Sequence, residues 1–289
     1  MRLITEQIDE RRMRCAAFTV DVDRDVNLAE RGRYEAVSNA HNGGDTSPRF
    51  ASSGKGLRST VELLDEMGIK GTFFLETDTL RAIARSLDVR SLLGGHEVAS
   101  HAVCHEDLTG EGTGICLTGP QVAQVIGDGA NIIEDICGRR PQGFRAPYQH
   151  IDGTVLQELA EGGFVYDSSL TVPMIDGRVA PWRLESGLLE IPVASGKDTR
   201  GKRIVSYLWP MHEGKRVPED YVHLASEMRS GALVLATHSW HIAETYGKGI
   251  LDRAEAGRNL ADLRKVLEGI MDLGMRFIAL EDLARDWEG

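Results

Sequence analysis

Cysteine is scarce in this chain. Cys15, Cys104, Cys116 and Cys137 are its four; no two form a C-x-x-C pair, and they are too widely spaced for a disulfide framework, so a reducing, cytoplasmic setting is expected. Long apolar runs are also lacking. No stretch approaches the roughly eighteen consecutive apolar residues of a membrane span, and the opening MRLITEQIDERRMR has no apolar stretch of the signal-peptide kind. Neither a transmembrane segment nor a leader is expected. Basic charge is in deficit, with 33 Lys and Arg against 44 Asp and Glu and a net charge of −11. That balance argues against nucleic acid as a partner and leaves anions to a local basic patch. Internal repeats and low-complexity segments are absent.

What is present is an alternation. With 289 residues, 42% of them hydrophobic, the chain can bury one large core, and a single domain over 1–289 is the default. Strand-like runs at CAAFTVDV, GTFFLET, HEVAS, GFRAP, LLEIPV and ALVLATH are separated by helical patterns. These fall at LRSTVELLDEMG, LRAIARSLDV, PQVAQVIGDGANIIEDICG and GTVLQELAEGG, and the chain closes on a helix and strand at NLADLRKVLEGIMDLGMRFIAL. This order predicts an α/β fold, a distorted (β/α) barrel of about seven parallel strands joined by crossover helices. Gly68 and Gly274 stand where helices should stop. Residues 24–56 break the rhythm, and a loop of that length at the C-terminal end of the first strand reads as a flap over the site.

The chemistry-bearing residues gather at the predicted strand ends. In FTVDVDRD the period of two puts Asp21 and Asp23 on one face. Two like charges held together call for a cation between them, or for one carboxylate that binds an ion while the other works on a proton. HEVASHAVCHEDLT sets His101 and His105 four apart, within reach of one metal from a helical turn or tight loop. With Ala at 102 this is not H-E-x-x-H, so a base has to come from elsewhere. An aspartate at another strand end would complete a His2Asp set with positions open for water and substrate. In GFRAPYQH, Arg145 precedes a proline and offers a planar fork for a carboxylate. His238 ends the apolar run ALVLATH, and its ordinary pKa suits acid or base work. Trp182, Trp209 and Trp240 are candidates to stack on a sugar face or to pack the core and rim. SSGKG lacks the glycine spacing and the Ser or Thr of a phosphate-binding loop, and GEGTG and the basic run GKDTRGKR are set aside as loops; the last would suit a phosphate- or uronate-bearing substrate if it lined the site.

Taken in order, TVDVD at 19–23, GTFFL at 71–75, GHEVASHAVCH at 95–105, RAPY at 145–148, YDSS at 166–169 and LATH at 235–238 resemble the polysaccharide deacetylase family. This is the NodB homology domain of carbohydrate esterase family 4. The resemblance runs from about residue 15 to ALEDLA at 279–284. It implies that Asp23, His101 and His105 bind one divalent metal ion, zinc first, with cobalt, nickel or manganese as alternatives. It further implies that Asp21 is the base, that Arg145 orients it, and that a backbone N–H near Tyr148 helps hold the oxyanion. His238 would protonate the leaving amine. The spacing D-x-D looks like a subgroup of the family, and the usual D-W pair is missing, which leaves Asp167 suggested as the group tuning His238. Asp167, Trp209 and Trp240 join Tyr148 as candidate substrate contacts. The implied activity is removal of an N-acyl group, N-acetyl first, from an amino sugar of a glycan. The alternatives are an allantoinase-like hydrolase of cyclic amides or ureides, a formamido-sugar deformylase, and a catalytically silent carbohydrate-binding domain. A carbohydrate or small amide is the expected partner, with a homo-oligomer left open.

Overall fold

The computed structural model describes residues 14–24, 28–38, 40 and 44–287. Its first strand, β1 (Arg14–Val22), is buried along nearly its whole length. It is paired in parallel with β2 (Thr72–Leu75) on one side and with Ser230–His238 on the other. A strand flanked and covered on both faces reads as an unbroken apolar run, which is what CAAFTV is. The parallel order continues through β3 (Glu97–Ser100), β4 (Gly143–Phe144), β5 (Tyr166–Asp167) and Leu189–Glu190. Two residues later the same chain segment, as Val193–Lys197, lies beside Ser230–His238. Ile191 and Pro192 thus carry the chain from one end of the strand order to the other, and the ring closes with its seventh strand split. Pro192 has no N–H to offer the ladder and favours such a break. This is the distorted (β/α) barrel that the alternating pattern predicts.

The period of two separates two cores. Ala16, Phe18, Val20 and Val22 face outward and pack with Leu57, Val61 and Leu64 of the helix Phe50–Met67. Cys15 and Ala17 face inward with Phe74, Ala99, Tyr166, Val193, Ala232 and Val234. The inward parity of β1 continues through Thr19 to Asp21 and Asp23, and that of Ser230–His238 ends on His238. The polar residues at the barrel mouth therefore stand on the face that fills the barrel lower down.

Some boundaries differ from the sequence expectation. The helix predicted from Leu57 begins at Phe50, so residues 50–56 belong to it and not to the flap. The cause is tertiary: Gly56 lies so close to the turn Ser239–Ile242 that a Cβ there would fall 1.8 Å from the Ser239 carbonyl oxygen. Within the remaining flap span, residues 25–27, 39 and 41–43 lie outside the described residues, as does the N-terminal stretch read for a leader. The described part is tied at Leu28 and Val37 by two backbone hydrogen bonds and joined to Thr113 through the Gly32 N–H. The pattern at LRAIARSLDV forms two short helices, Thr77–Ile83 and Val89–Leu92. Pro218–Ser226 is a helix that carried no reading, and the RFIAL strand is only Arg276–Phe277, followed by the helix Leu280–Asp286. Gly68 and Gly274 both adopt positive φ where helices stop. No described helix is long and apolar enough to cross a membrane.

Replacing Gly56 with alanine is expected to force the helix away from the Ser239 turn. The cost should be about 1–3 kcal/mol, as for overpacked cores, read as a lower urea midpoint with an unchanged slope.

Candidate active site

Parallel pairing brings the strand ends to one mouth. Asp21 lies opposite His238 in one pair and opposite Phe74 in the other. Ser100 lies opposite Phe144, which sets His101 and Arg145 one residue past the ends of adjacent strands. The backbone N–H of Arg145 then donates to the Ser100 carbonyl, and that of His101 to the Leu75 carbonyl, each at 3.0 Å.

Among the described residues, Asp23, His101 and His105 form a buried group whose ligand atoms all lie within 4.8 Å of one another. His101 Nδ1 is 2.8 Å from the carbonyl oxygen of Arg145. A carbonyl can only accept, so Nδ1 carries the hydrogen and Nε2 keeps its lone pair for the site. His105 Nε2 stands 3.5 Å from Asp23 Oδ2. Burial holds both imidazoles below their ordinary pKa, His105 the more strongly because His101 and Arg24 add positive charge nearby. They are thus neutral, as ligands must be. Two neutral imidazoles and a buried carboxylate this close fit a divalent ion at about 2.0–2.2 Å from each.

The local backbone is built to hold them. His101 and His105 are joined by a tight loop, not a helical turn, in which Ala102 and His105 itself take φ of 63° and 58°. The Glu106 carboxylate closes it by accepting the N–H groups of Val103 and Cys104 at 3.0 and 2.9 Å. Behind Asp23, the Arg24 backbone N–H donates to Glu76 at 2.8 Å, and its guanidinium Nε meets the same carboxylate at 2.7 Å. Ser53 donates its hydroxyl to the Asp23 carbonyl.

Asp21 is held differently. Its Oδ1 accepts from Arg145 Nη1 at 2.8 Å and its Oδ2 from the Tyr207 hydroxyl at 2.9 Å. Burial pushes this carboxyl up, but Arg145, His101 and His238 together outweigh it and keep the pKa below the usual value. Arg145 is fully buried over the Phe74 ring, 4.2 Å from its centroid. Its fork does not hold the carboxylate bidentately. One N–H goes to Asp21, while the others fix the arginine on Thr19 and on the Ser168 carbonyl and hydroxyl.

Other expected site residues fall in varied places. Tyr148 sets its ring edge-on to His105, centroids 4.6 Å apart, with φ of 58°, and Gln149 follows at 61°. The Gln149 and His150 N–H groups close this turn on Ala146 and Pro147, and the Tyr148 N–H is not among those bonds. His238 is half-buried, its Nδ1 3.3 Å from His241 Nδ1. Asp167 does not turn to His238. It accepts the Ser169 N–H and hydroxyl and pairs with the buried Glu190 carboxyl. Ser169 in turn holds the Ala146 N–H, so Asp167 braces the Arg145 loop from behind. Trp240 has no exposed face; it is stacked on His241 at 3.6 Å and on His238 at 5.6 Å, which removes it as a sugar platform. Trp209 is half-buried against His241 and Tyr246. Trp182 lies in the shallow apolar cleft formed with Val172 and Ile175. Sequence reasoning missed Tyr207, the Arg24–Glu76 pair, Ser168 and His241. Only H-S-W-H at 238–241, two histidines three apart, carried a visible signal.

A closed parallel barrel whose mouth gathers His, His and Asp beside an arginine-held second Asp defines a NodB-type (β/α) barrel. Residues 50–166 match the polysaccharide deacetylase family model, so that segment is similar to the family. The segment holds His101, His105, Arg145 and Tyr148, while the fold adds Asp21, Asp23 and His238. The chain is 34% identical over 120 residues to the peptidoglycan deacetylase-like protein FGM2 of Gibberella zeae, covering 40% of this chain and 33% of that protein. It is 26% identical over 133 residues to the peptidoglycan deacetylase of Helicobacter pylori, covering 44% of this chain and 43% of that protein. The matches thus span less than half the length of either relative. A candidate polysaccharide deacetylase of known structure from Mycobacterium smegmatis superposes with a TM-score of 0.64 at 23% identity, over 95% of this chain and 90% of that one.

Arg145→Met removes the cation but leaves Asp21 buried. Breaking such a pair should cost about 3–5 kcal/mol at neutral pH. Asp21, depressed in the folded state, lends stability above about pH 4 that is lost as pH falls through its folded value. Without Arg145 the burial penalty prevails, and the acid-unfolding midpoint should move to higher pH, measured by circular dichroism.

Proposed function

We propose that this protein is a divalent-metal amidohydrolase of carbon–nitrogen bonds other than peptides, an N-deacetylase of an amino sugar. One observation carries the reading: the two carboxylates on a single strand face have different partners. Asp21 is engaged by Arg145 and Tyr207, whereas Asp23 stands with His101 and His105. That division supports Asp23 as ligand and Asp21 as base, with both histidines completing the metal site. A bound divalent ion supplies Lewis acidity and lowers the pKa of a water toward about 7.

The chain's own residues supply the rest. Ionised at neutral pH and fixed from both oxygens, Asp21 is positioned to take a proton from an attacking water. Arg145 holds it in place and steadies its charge without reaching the substrate. The left-handed turn at Tyr148 offers a backbone N–H to the developing oxyanion, where a fixed donor is worth roughly 2.7–4 kcal/mol. His238, across the strand pair from Asp21, provides the proton that an amine leaving group needs. The turn at 28–38, bound to Thr113 beside the His105 loop, is a lip for the substrate and the described part of the flap.

The substrate is tested by a panel of acetylated chito-oligosaccharides, allantoin and formamido sugars with zinc, cobalt, nickel or manganese. Deacetylation without ureide hydrolysis is expected, and hydrolysis of none would overturn the reading. His101→Ala and His105→Ala should each lose the metal on dialysis, scored by elemental analysis. Asp21→Asn should keep metal and lose about 10²–10⁴-fold in turnover, while Asp23→Asn should arrive depleted and regain rate with added ion. An empty Asp21→Asn protein rescued by metal would reverse the two roles.

A further inference from the structure

Behind His238, on the side away from the metal ligands, lies a line of buried groups that the proposed chemistry does not yet use. His238 Nδ1 faces His241 Nδ1 at 3.3 Å, which couples the ring to a second imidazole and leaves Nε2 as its other nitrogen. His241 is fully buried and gripped by the Trp240 ring. Its Nε2 makes no hydrogen bond, and a Glu213 carboxylate oxygen stands 3.5 Å away. Glu213 is fixed by the Tyr246 N–H, which donates to the same oxygen at 2.6 Å. It lines an outer cavity of about 380 Å³ with His212, Lys248, Glu255, Arg258 and Asn259. His212 stacks on the face of His241, centroids 5.9 Å apart, and stands beside the line, not in it.

Resting on the reading of His238 as the acid, we propose that His241 and Glu213 form a proton relay that feeds His238 from the outer cavity while substrate covers the barrel mouth. In the resting tautomer His241 Nδ1–H donates to His238 Nδ1, and His238 carries its hydrogen on Nε2. As the amide C–N bond breaks, the His238 Nε2–H bond breaks and an N–H bond forms on the leaving nitrogen. The His241 Nδ1 proton moves to His238 Nδ1, and His241 Nε2 takes a proton delivered through Glu213 from water. Reset runs the line backward. The proton held by Asp21 passes to His238 Nε2, His238 Nδ1 returns its proton to His241, and one proton leaves through Glu213. The cycle neither gains nor loses a proton, and His238 acts as an acid without becoming an imidazolium. That agrees with a ring which burial has pushed down to about 4 and which is therefore neutral at rest. Trp240 and the aromatic wall keep the line dry, so that transfer follows the imidazoles.

Three measurements test it. ¹⁵N NMR of histidine-labelled, zinc-loaded protein should show His238 as the Nε2–H tautomer and His241 as the Nδ1–H tautomer at neutral pH; the opposite pair would overturn the relay whatever the substrate. His241→Phe keeps a ring against Trp240 and removes the nitrogens. It should lower kcat on an acetylated chito-oligosaccharide at least tenfold, with KM, zinc content and the hydrolysis of 4-nitrophenyl acetate unchanged, because nitrophenolate leaves without a proton. Equal loss on amide and ester, or no loss on the amide, would overturn the proposal. Glu213→Gln, which should fold whether or not His241→Phe does, is expected to lower the amide rate alone. If the wild type cleaves the ester and no amide, the amidohydrolase reading falls, and the tautomers still decide the relay.

Discussion

The buried contact between Arg145 and Asp21 is the constraint around which the barrel mouth is organised. A guanidinium with no exposure to solvent is tolerable only when its donors are met. Here they are met by an aspartate on one strand, a threonine two residues before it, and the carbonyl and hydroxyl of a serine after another strand. The arginine therefore ties β1 to the loop after β5 across the interior and fixes the orientation of Asp21. It also neutralises one member of the D-x-D pair, so the second carboxylate stands close to its neighbour without a second uncompensated charge.

From that follows the asymmetry of the site. Asp21 is held by Arg145 and Tyr207, and Asp23 stands within reach of the two imidazoles. The supports are layered behind each. Glu76 and Arg24 hold the backbone at Asp23, Glu106 folds the histidine loop, and Asp167 with Ser169 holds the turn that begins at Ala146. Several of these are buried carboxyls. Burial and the charge of Asp167 hold the Glu190 carboxyl well above its ordinary value, and burial raises Asp167 too, so the pair shares a proton. Such buried polar networks fix one arrangement of the backbone, because any other leaves groups unsatisfied.

The parts of the site that sequence made legible are those carried by strand ends. Asp21, Asp23, His101, Arg145 and His238 each follow an apolar run, and parallel strands must deliver such residues to the same end. The readings that failed concern side chains whose direction depends on packing. Asp167 also sits at a strand end, yet its carboxylate turns to Ser169 and Glu190. Trp240 is taken into the wall by stacking on two histidines. Tyr207 follows the short strand Arg203–Val205 in a segment that carried no reading, and nothing in the surrounding residues announced its bond to Asp21.

By itself the sequence determined the alternation of strands and helices, the shared face of Asp21 and Asp23, and the i, i+4 spacing of His101 and His105. Each is a local property set by a period of two or by a few bonds of chain. Tertiary structure decided which aspartate meets Arg145, where the first helix begins, and that His241 stands behind His238. Those outcomes depend on atoms brought together from residues 19–24, 145–169, 207–213 and 238–241, distant in the chain. The physical reason is that burial and hydrogen-bond satisfaction are settled among neighbours in space, and closure of the barrel is what makes these segments neighbours.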